Sequence, residues 1–325
     1  PQIAVALPMF TTELCRRGVS INPSFHPASI NRYVRNGYAG NRYAGRLIAM
    51  ASLHGKERIL ARPLKSGLGL TLRHASSVDT DRFGSFDGER PRQDDAPTTC
   101  QRKAVAALET LDLDLGIASE GSFGPHPAVP MLPVGQECMT FVDRRDGLVI
   151  HEQLVSHRTN YGSCSGSEPE AIAGWLHRIG FPRHGLMIRP LEPEPAGESY
   201  WLAKGVHDPR QLATLIAEAV RRSPLGLARL ETDMRAHGNP TRRIAIRQLA
   251  FRLVRRLAST CPSCGAPGWG VVATIAGLPC SACGLATALV KLEVMGCSVC
   301  THRTEHPRRD RRSAADPMHC PYCNP

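Results

Sequence analysis

Aromatic side chains are scarce in this chain, at 5% of 325 residues. No stretch has the charged start, apolar centre and small-residue cleavage site of a signal peptide. Nor is there an unbroken apolar run long enough to span a bilayer. Residues 265–290 carry no charge, but Pro267, Pro279, several glycines and a C-x-x-C pair interrupt them, so they read as the interior of a metal module. Apolar and charged fractions of 42% and 21% are ordinary for a globular protein and argue against wholesale disorder.

A strong basic body is also missing, although the net charge is +11. Residues 1–46 hold +5 of it and residues 301–315 hold +3, so the rest of the chain is close to neutral. Eight thiolates on two Zn²⁺ would lower the total to about +7. Charge alone is therefore a poor argument for nucleic acid.

What the chain does have is twelve cysteines, eight of them in four C-x-x-C pairs near the C-terminus. Cys15, Cys100, Cys138 and Cys164 are scattered. This pattern suits metal binding in a reducing, cytoplasmic setting better than a disulfide framework. The pairs are Cys261–Cys264, Cys280–Cys283, Cys297–Cys300 and Cys320–Cys323. Fifteen residues separate Cys264 from Cys280, and nineteen separate Cys300 from Cys320. Both gaps fit zinc sites, each knuckle giving two thiolates and four thiolates closing a tetrahedron around a structural ion. Two zinc ions are expected. Sequential pairing of the knuckles is favoured over a cross-braced one, with only thirteen residues between Cys283 and Cys297.

Residues 1–43 lack a sustained period and are rich in turn formers, so they read as a disordered leader or an extension outside the folded unit. A basic arm for nucleic acid is the functional alternative. From residue 44 to 258, apolar runs alternate with helical patterns: "RLIAMAS", "KERILARPL", "GLTLRHA", "PTTCQRKAVAALETL", "LGIAS". Strand, helix, strand in this order predicts an α/β domain, a mostly parallel or mixed sheet with covering helices. Arg145-Asp146-Gly147 marks a hairpin. Asp208-Pro209 and Asn239-Pro240 each mark a helix start. The helix over 240–258 carries one apolar stripe, Ile246 to Leu257, with Arg243, Arg247, Arg252, Arg255 and Arg256 mostly off it. Residues 259–325 form the double zinc ribbon.

In open α/β sheets, ligands bind beyond the carboxyl ends of strands. Polar clusters fall at those places here. His54, Lys56 and Glu57 follow the first strand, and Asp79, Asp81 and Arg82 follow the second. "LGIAS" over 115–119 reads as a third strand that runs into a loop, whose rim carries Glu120, Ser122 and His126. "LETDMRAHGNPTR" supplies Glu231, Asp233, Arg235, His237, Asn239, Thr241 and Arg242, with Glu231, Asp233 and Arg235 on one face by strand alternation. The helix start at Asn239 suits a phosphate or carboxylate. "HGKE" lacks the glycine spacing of a phosphate-binding loop.

These clusters point to an enzyme for a small anionic or phosphorylated substrate, a metal-assisted hydrolase or transferase. Glu120, Asp233, His54, Ser122 and His126 are its catalytic candidates, with Ser122 and His126 a candidate nucleophile and base. Lys56, Arg82, Arg235, Asn239, Thr241 and Arg242 are its substrate-binding candidates. Mg²⁺ or Mn²⁺ on Glu120 and Asp233 is a further cofactor candidate. Two rivals stand beside it: a nucleic-acid-binding protein using the ribbons and the Arg-bearing helix, and a small-ligand sensor without catalysis. The loop 301–316 has no interleaved aromatics for stacking bases.

The motifs "YAGRLIAMASLHGKE", "DTDRFGSF", "ASEGSFGPHP", "GFPRHGLMIRP", "LETDMRAHGNPTR", "CPSCGAPGWG", "GLPCSACG" and "CPYCNP" together resemble a bacterial family that carries domain of unknown function 6671 and a C-terminal cysteine-rich zinc-ribbon region. The resemblance runs from about Tyr43 to Pro325. It implies the two-part architecture and brings no activity with it.

Overall fold

The computed structural model describes residues 42–84, 93–126, 129–192 and 201–324. The expectation of a disordered leader over 1–43 lies almost wholly outside them. Two compact units are distinguished: residues 45–143 with 151–253, and residues 254–325 with 144–150 and the residues ahead of 45.

The larger unit is mixed α/β. Its first sheet runs in the order β2-β1-β3-β4-β5, where β1 is Leu47–Met50, β2 Thr71–His74, β3 Leu115–His126, β4 Val129–Asp143 and β5 Leu148–Ser156. β1 pairs in parallel with β2 and β3, and β3 pairs antiparallel with β4. Helix α1 (Lys56–Leu68) links β1 to β2, and α2 (Ala96–Thr110) links β2 to β3. The chain thus leaves β1 toward one neighbour and returns on its other side, which places a topological switch point at the carboxyl end of β1.

Local chemistry sets the helix limits. Ser52 Oγ accepts the Lys56 backbone N–H at 3.1 Å, just ahead of α1. Gly69 closes α1 with φ 67, a left-handed conformation that costs glycine little. Asp95 Oδ1 accepts the Thr98 N–H at 2.8 Å and starts α2, with Pro97 in the first turn. Ile48, Met50, Leu60, Leu64, Leu108, Ile117 and Phe141 are fully buried, each adding about 1.5–3 kcal/mol by leaving water.

A second, four-stranded antiparallel sheet runs β6-β9-β7-β8. Its strands are Ser163–Gly166, Ala228–Thr232, Leu186–Pro190 and Ala203–Val206, in that spatial order. Two helices accompany it, α3 (Ala173–Ile179) and α4 (Pro209–Arg222). α4 buries Leu212, Ile216 and Ala219, one helical stripe, in a cluster with Leu186, Ile188 and Leu230. Asp208 accepts the Arg210 N–H and caps it. Helix α5 (Pro240–Ala258) begins in this unit. It starts at Asn239, whose Oδ1 accepts the Arg242 N–H at 2.9 Å. Its stripe from Ile246 to Leu257 is buried.

Three sequence expectations change here. β3 does not stop at Ser119; it runs on to His126, because β4 pairs with it past the end of β1. Glu120, Ser122 and His126 therefore lie along a strand and not on a loop rim. β9 ends at Thr232, so Asp233 and Arg235 lie beyond the strand. Glu231 instead meets Arg229 at 3.4 Å and Arg189 at 4.0 Å.

In the smaller unit, β10 (Gly270–Ala276), β11 (Val290–Gly296) and β12 (Arg303–Pro307) form an antiparallel sheet. Among the described residues, no helix is long and apolar enough to cross a membrane.

Candidate functional sites

Two places in the molecule carry chemistry. One is the set of cysteine knuckles. Cys261, Cys264, Cys297 and Cys300 converge, and so do Cys280, Cys283, Cys320 and Cys323. This corrects the sequential pairing. The reason is the parity of the strands between the knuckles. The start of β10, the end of β11 and the start of β12 lie at one end of the sheet, with Gly270 opposite Gly296 and Gly296 opposite Arg303. The first and third knuckles flank that end. The β10–β11 connection and the segment after β12 lie at the other end and carry the second and fourth.

The sulfur spacing can be tested against an ion. Four sulfurs bonded to zinc at about 2.3 Å stand about 3.8 Å apart in a tetrahedron. Here Cys261 and Cys300 Sγ are 3.7 Å apart, Cys264 and Cys297 3.6 Å, Cys280 and Cys323 3.9 Å, and Cys283 and Cys320 3.6 Å. The described cysteines are all free of disulfides. Both sets could hold a metal ion and fit a double zinc ribbon.

The second place is an open recess at the carboxyl end of β1. Ser52 and His54 after β1, Asp81 after β2, and Ser119 and Glu120 on β3 line it, with Lys56, Lys103 and Arg242. It opens at the switch point because β3 extends beyond the end of β1.

Most charges there are already matched. Lys103 donates to Glu120, and both are buried. Arg242 Nε donates to Glu137 Oε1 at 2.7 Å, and Nη1 to the Met234 carbonyl at 2.6 Å. Both side chains of that pair are almost fully buried. Gly121, opposite Glu137 in the β3–β4 register, leaves them room; a Cβ there would stand 2.9 Å from each Glu137 oxygen. Lys56 differs. Its Nζ donates to the Ser119 carbonyl at 2.6 Å, and among the described residues it has no carboxylate within ion-pair distance. Burial lowers it to about 8, helped by Arg242 and opposed by Glu120 and Glu137. Ser119 Oγ, also buried, has no hydrogen-bond partner among the described residues.

His54 stacks on His237 with ring centres 5.4 Å apart and planes 9° apart. Burial, then Lys56, His237 and Arg242, push His54 down to about 3, so it is neutral near pH 7. His237 belongs to a neighbouring polar group. There Asp233, fully buried, is held by Arg235 Nη2 at 2.7 Å. Burial also lowers His237 and His184. Thr241 Oγ1 lies 2.9 Å from His184 Nε2.

A family model described as a domain of unknown function (DUF6671) matches residues 103–325. The chain belongs to this family. No curated protein and no solved structure matches it. The DUF6671 match takes in Lys103, Ser119, Glu120, Arg242 and all eight knuckle cysteines; His54 and Lys56 precede it.

Of the residues singled out in the sequence, His54, Lys56, Asp81, Glu120 and Arg242 line the recess. Arg82 lies outside it, over the Phe83 ring at 4.7 Å. Asp233 and Arg235 pair with each other, and Asn239 is fully buried as a cap and donates to Asn160. Ser122 is exposed, and His126 packs near His157 with ring centres 5.6 Å apart. Four residues of extended strand put about 13 Å between Ser122 and His126, too far for a nucleophile and its base. Sequence reading missed Lys103, Ser119 and Glu137. Lys103 is in helical phase with Cys100, Ala104 and Ala107, and Glu137 in strand phase with Met139 and Phe141, all buried. A charge on an apolar stripe was the available signal.

Proposed function

We propose that the α/β unit is an enzyme domain that takes a small anionic or phosphorylated substrate into the recess at the end of β1, and that the C-terminal module is held by two structural zinc ions. One observation carries the first part: among the described residues, Lys56 is a lysine in the recess with no carboxylate on it, while Lys103 and Arg242 each hold a glutamate. An unsatisfied cation in a cleft is stabilised by an anion from solution. The positive end of α1, which borders the recess at Lys56, acts in the same direction. Glu120, braced by Lys103, is the carboxylate beside the bound ligand and suits acid–base work.

Mg²⁺ or Mn²⁺ finds no comparable support. Among the described residues, only the two cysteine sets bring three or more metal-ligating groups together. The nucleic-acid reading is weakened in the ribbon itself. Arg308 and Arg312 meet Asp310, Arg309 meets Glu293, and Arg303 is spent on the Cys297 and Cys300 carbonyls.

The test is a thermal-shift screen of the full chain with inorganic phosphate, sulfate and small carboxylic and phosphorylated metabolites. A ligand at 100 times its Kd stabilises by about 2.7 kcal/mol, or roughly 5–10 °C for a unit of this size. The shift should vanish in Lys56→Met. A panel with no shift that depends on Lys56 would sink the proposal.

A further inference from the structure

The same recess places a primary amine where a carbonyl could reach it. We propose that Lys56 forms an imine with a small carbonyl compound bearing an anionic group, such as a 2-oxo acid or an aldehyde phosphate. This rests on the anion-binding reading above and adds the chemistry of the bound molecule.

The geometry separates Lys56 from the other lysine nearby. Lys103 is paired with Glu120. Among the described residues, Lys56 Nζ hydrogen-bonds only to a neutral carbonyl, Ser119 O, at 2.6 Å. A neutral amine still donates an N–H to that oxygen, more weakly than an ammonium does, so the side chain keeps its anchor in either state. Burial, then the like charges of Arg242 and Lys103, favour the uncharged amine against the opposing pull of Glu120 and Glu137. At about 8, roughly a tenth of the amine is neutral at pH 7. An anionic group on the substrate would share the recess with Arg242 and the start of α1, its carbonyl carbon toward the amine.

The step balances without a metal or an oxidant. The amine nitrogen adds to the carbonyl carbon, and the oxygen takes a proton to give a carbinolamine. The C–O bond then breaks, the oxygen leaves as water with the second amine proton, and the nitrogen lone pair closes the C=N bond. Glu120 lies in the same recess and is the group at hand to carry those protons.

Trapping tests this directly. The full zinc-loaded chain is incubated with pyruvate or with glycolaldehyde phosphate in sodium cyanoborohydride, and the adduct is mapped by peptide mass spectrometry. Only five lysines compete: Lys56, Lys65, Lys103, Lys204 and Lys291. The expected result is one adduct per chain on Lys56, at least tenfold above Lys65, and suppressed by excess inorganic phosphate. The better of the two probes tells carboxylate from phosphate as the anionic group. Lys56→Arg keeps the charge and should keep the anion-induced thermal shift while losing the adduct. If that variant does not fold, the wild-type map still decides. Labelling spread over exposed lysines, with Lys56 spared, overturns the imine. An anion shift without a Lys56 adduct overturns this inference alone; neither shift nor adduct overturns the anion site as well.

Discussion

The buried pair of Arg242 and Glu137 gives the sharpest energetic prediction. Their side chains are 1% and 2% exposed. Arg242→Met would leave the Glu137 carboxylate buried without its hydrogen-bonded cation. Breaking one partner of such a pair costs about 3–5 kcal/mol. The Met234 carbonyl also loses its donor, worth about 1 kcal/mol. Arg242 lies over the Phe123 ring at 5.1 Å, and losing that contact adds up to about 1 kcal/mol. Glu137→Leu should cost a similar amount, because it strands the guanidinium. The double variant removes both charges and fills the space with apolar atoms, so it should recover most of the loss. The expected coupling is about 3 kcal/mol, well beyond the scatter of additive sites. Urea unfolding, followed by Trp175 and Trp201 fluorescence in a Trp269→Phe background, reports on the α/β unit. Additive losses in the double variant would refute the reasoning, as would a single-variant loss below about 1 kcal/mol.

Other outcomes follow from the same structure. Cys261→Ser with Cys297→Ser should leave one zinc per chain by elemental analysis, while Cys261→Ser with Cys280→Ser should leave none; sequential pairing requires the reverse. His54 refuses a proton that the unfolded chain accepts between its ordinary value of 6.5 and about 3. Stability is therefore complete above pH 6.5 and is lost as pH falls through that window. His54→Asn should lose less stability than the wild type between pH 6.5 and 4, and equal losses in urea midpoint would contradict the burial argument. Asn239→Ala removes the cap of α5 and the donor to Asn160; a loss of about 1–3 kcal/mol is expected in the same assay, and no change would mean the cap is idle.

Features set by neighbouring residues were legible in the sequence. The Asp146-Gly147 turn, the starts at Asp208 and Asn239, and each cysteine knuckle depend on a few residues in a row. Features set by distant partners were not. Gly121, Gly124 and Pro125 look like a loop by composition, yet β4 draws them into a strand. The knuckle pairing depends on how many strands intervene, which spacing alone does not report. Lys103 and Glu137 carry charges that composition assigns to solvent. What buries them is a partner of opposite sign, on another element, supplied only by the tertiary fold.

The interleaved cysteine sets have a consequence for how the module is loaded. Occupying the Cys261-to-Cys300 set ties off a loop that already contains Cys280 and Cys283. The remaining set then has less chain to bring together, and loop closure costs less entropy for shorter spans. The two binding events should thus be cooperative, the later one tighter than the earlier, and a partly loaded population should be sparse.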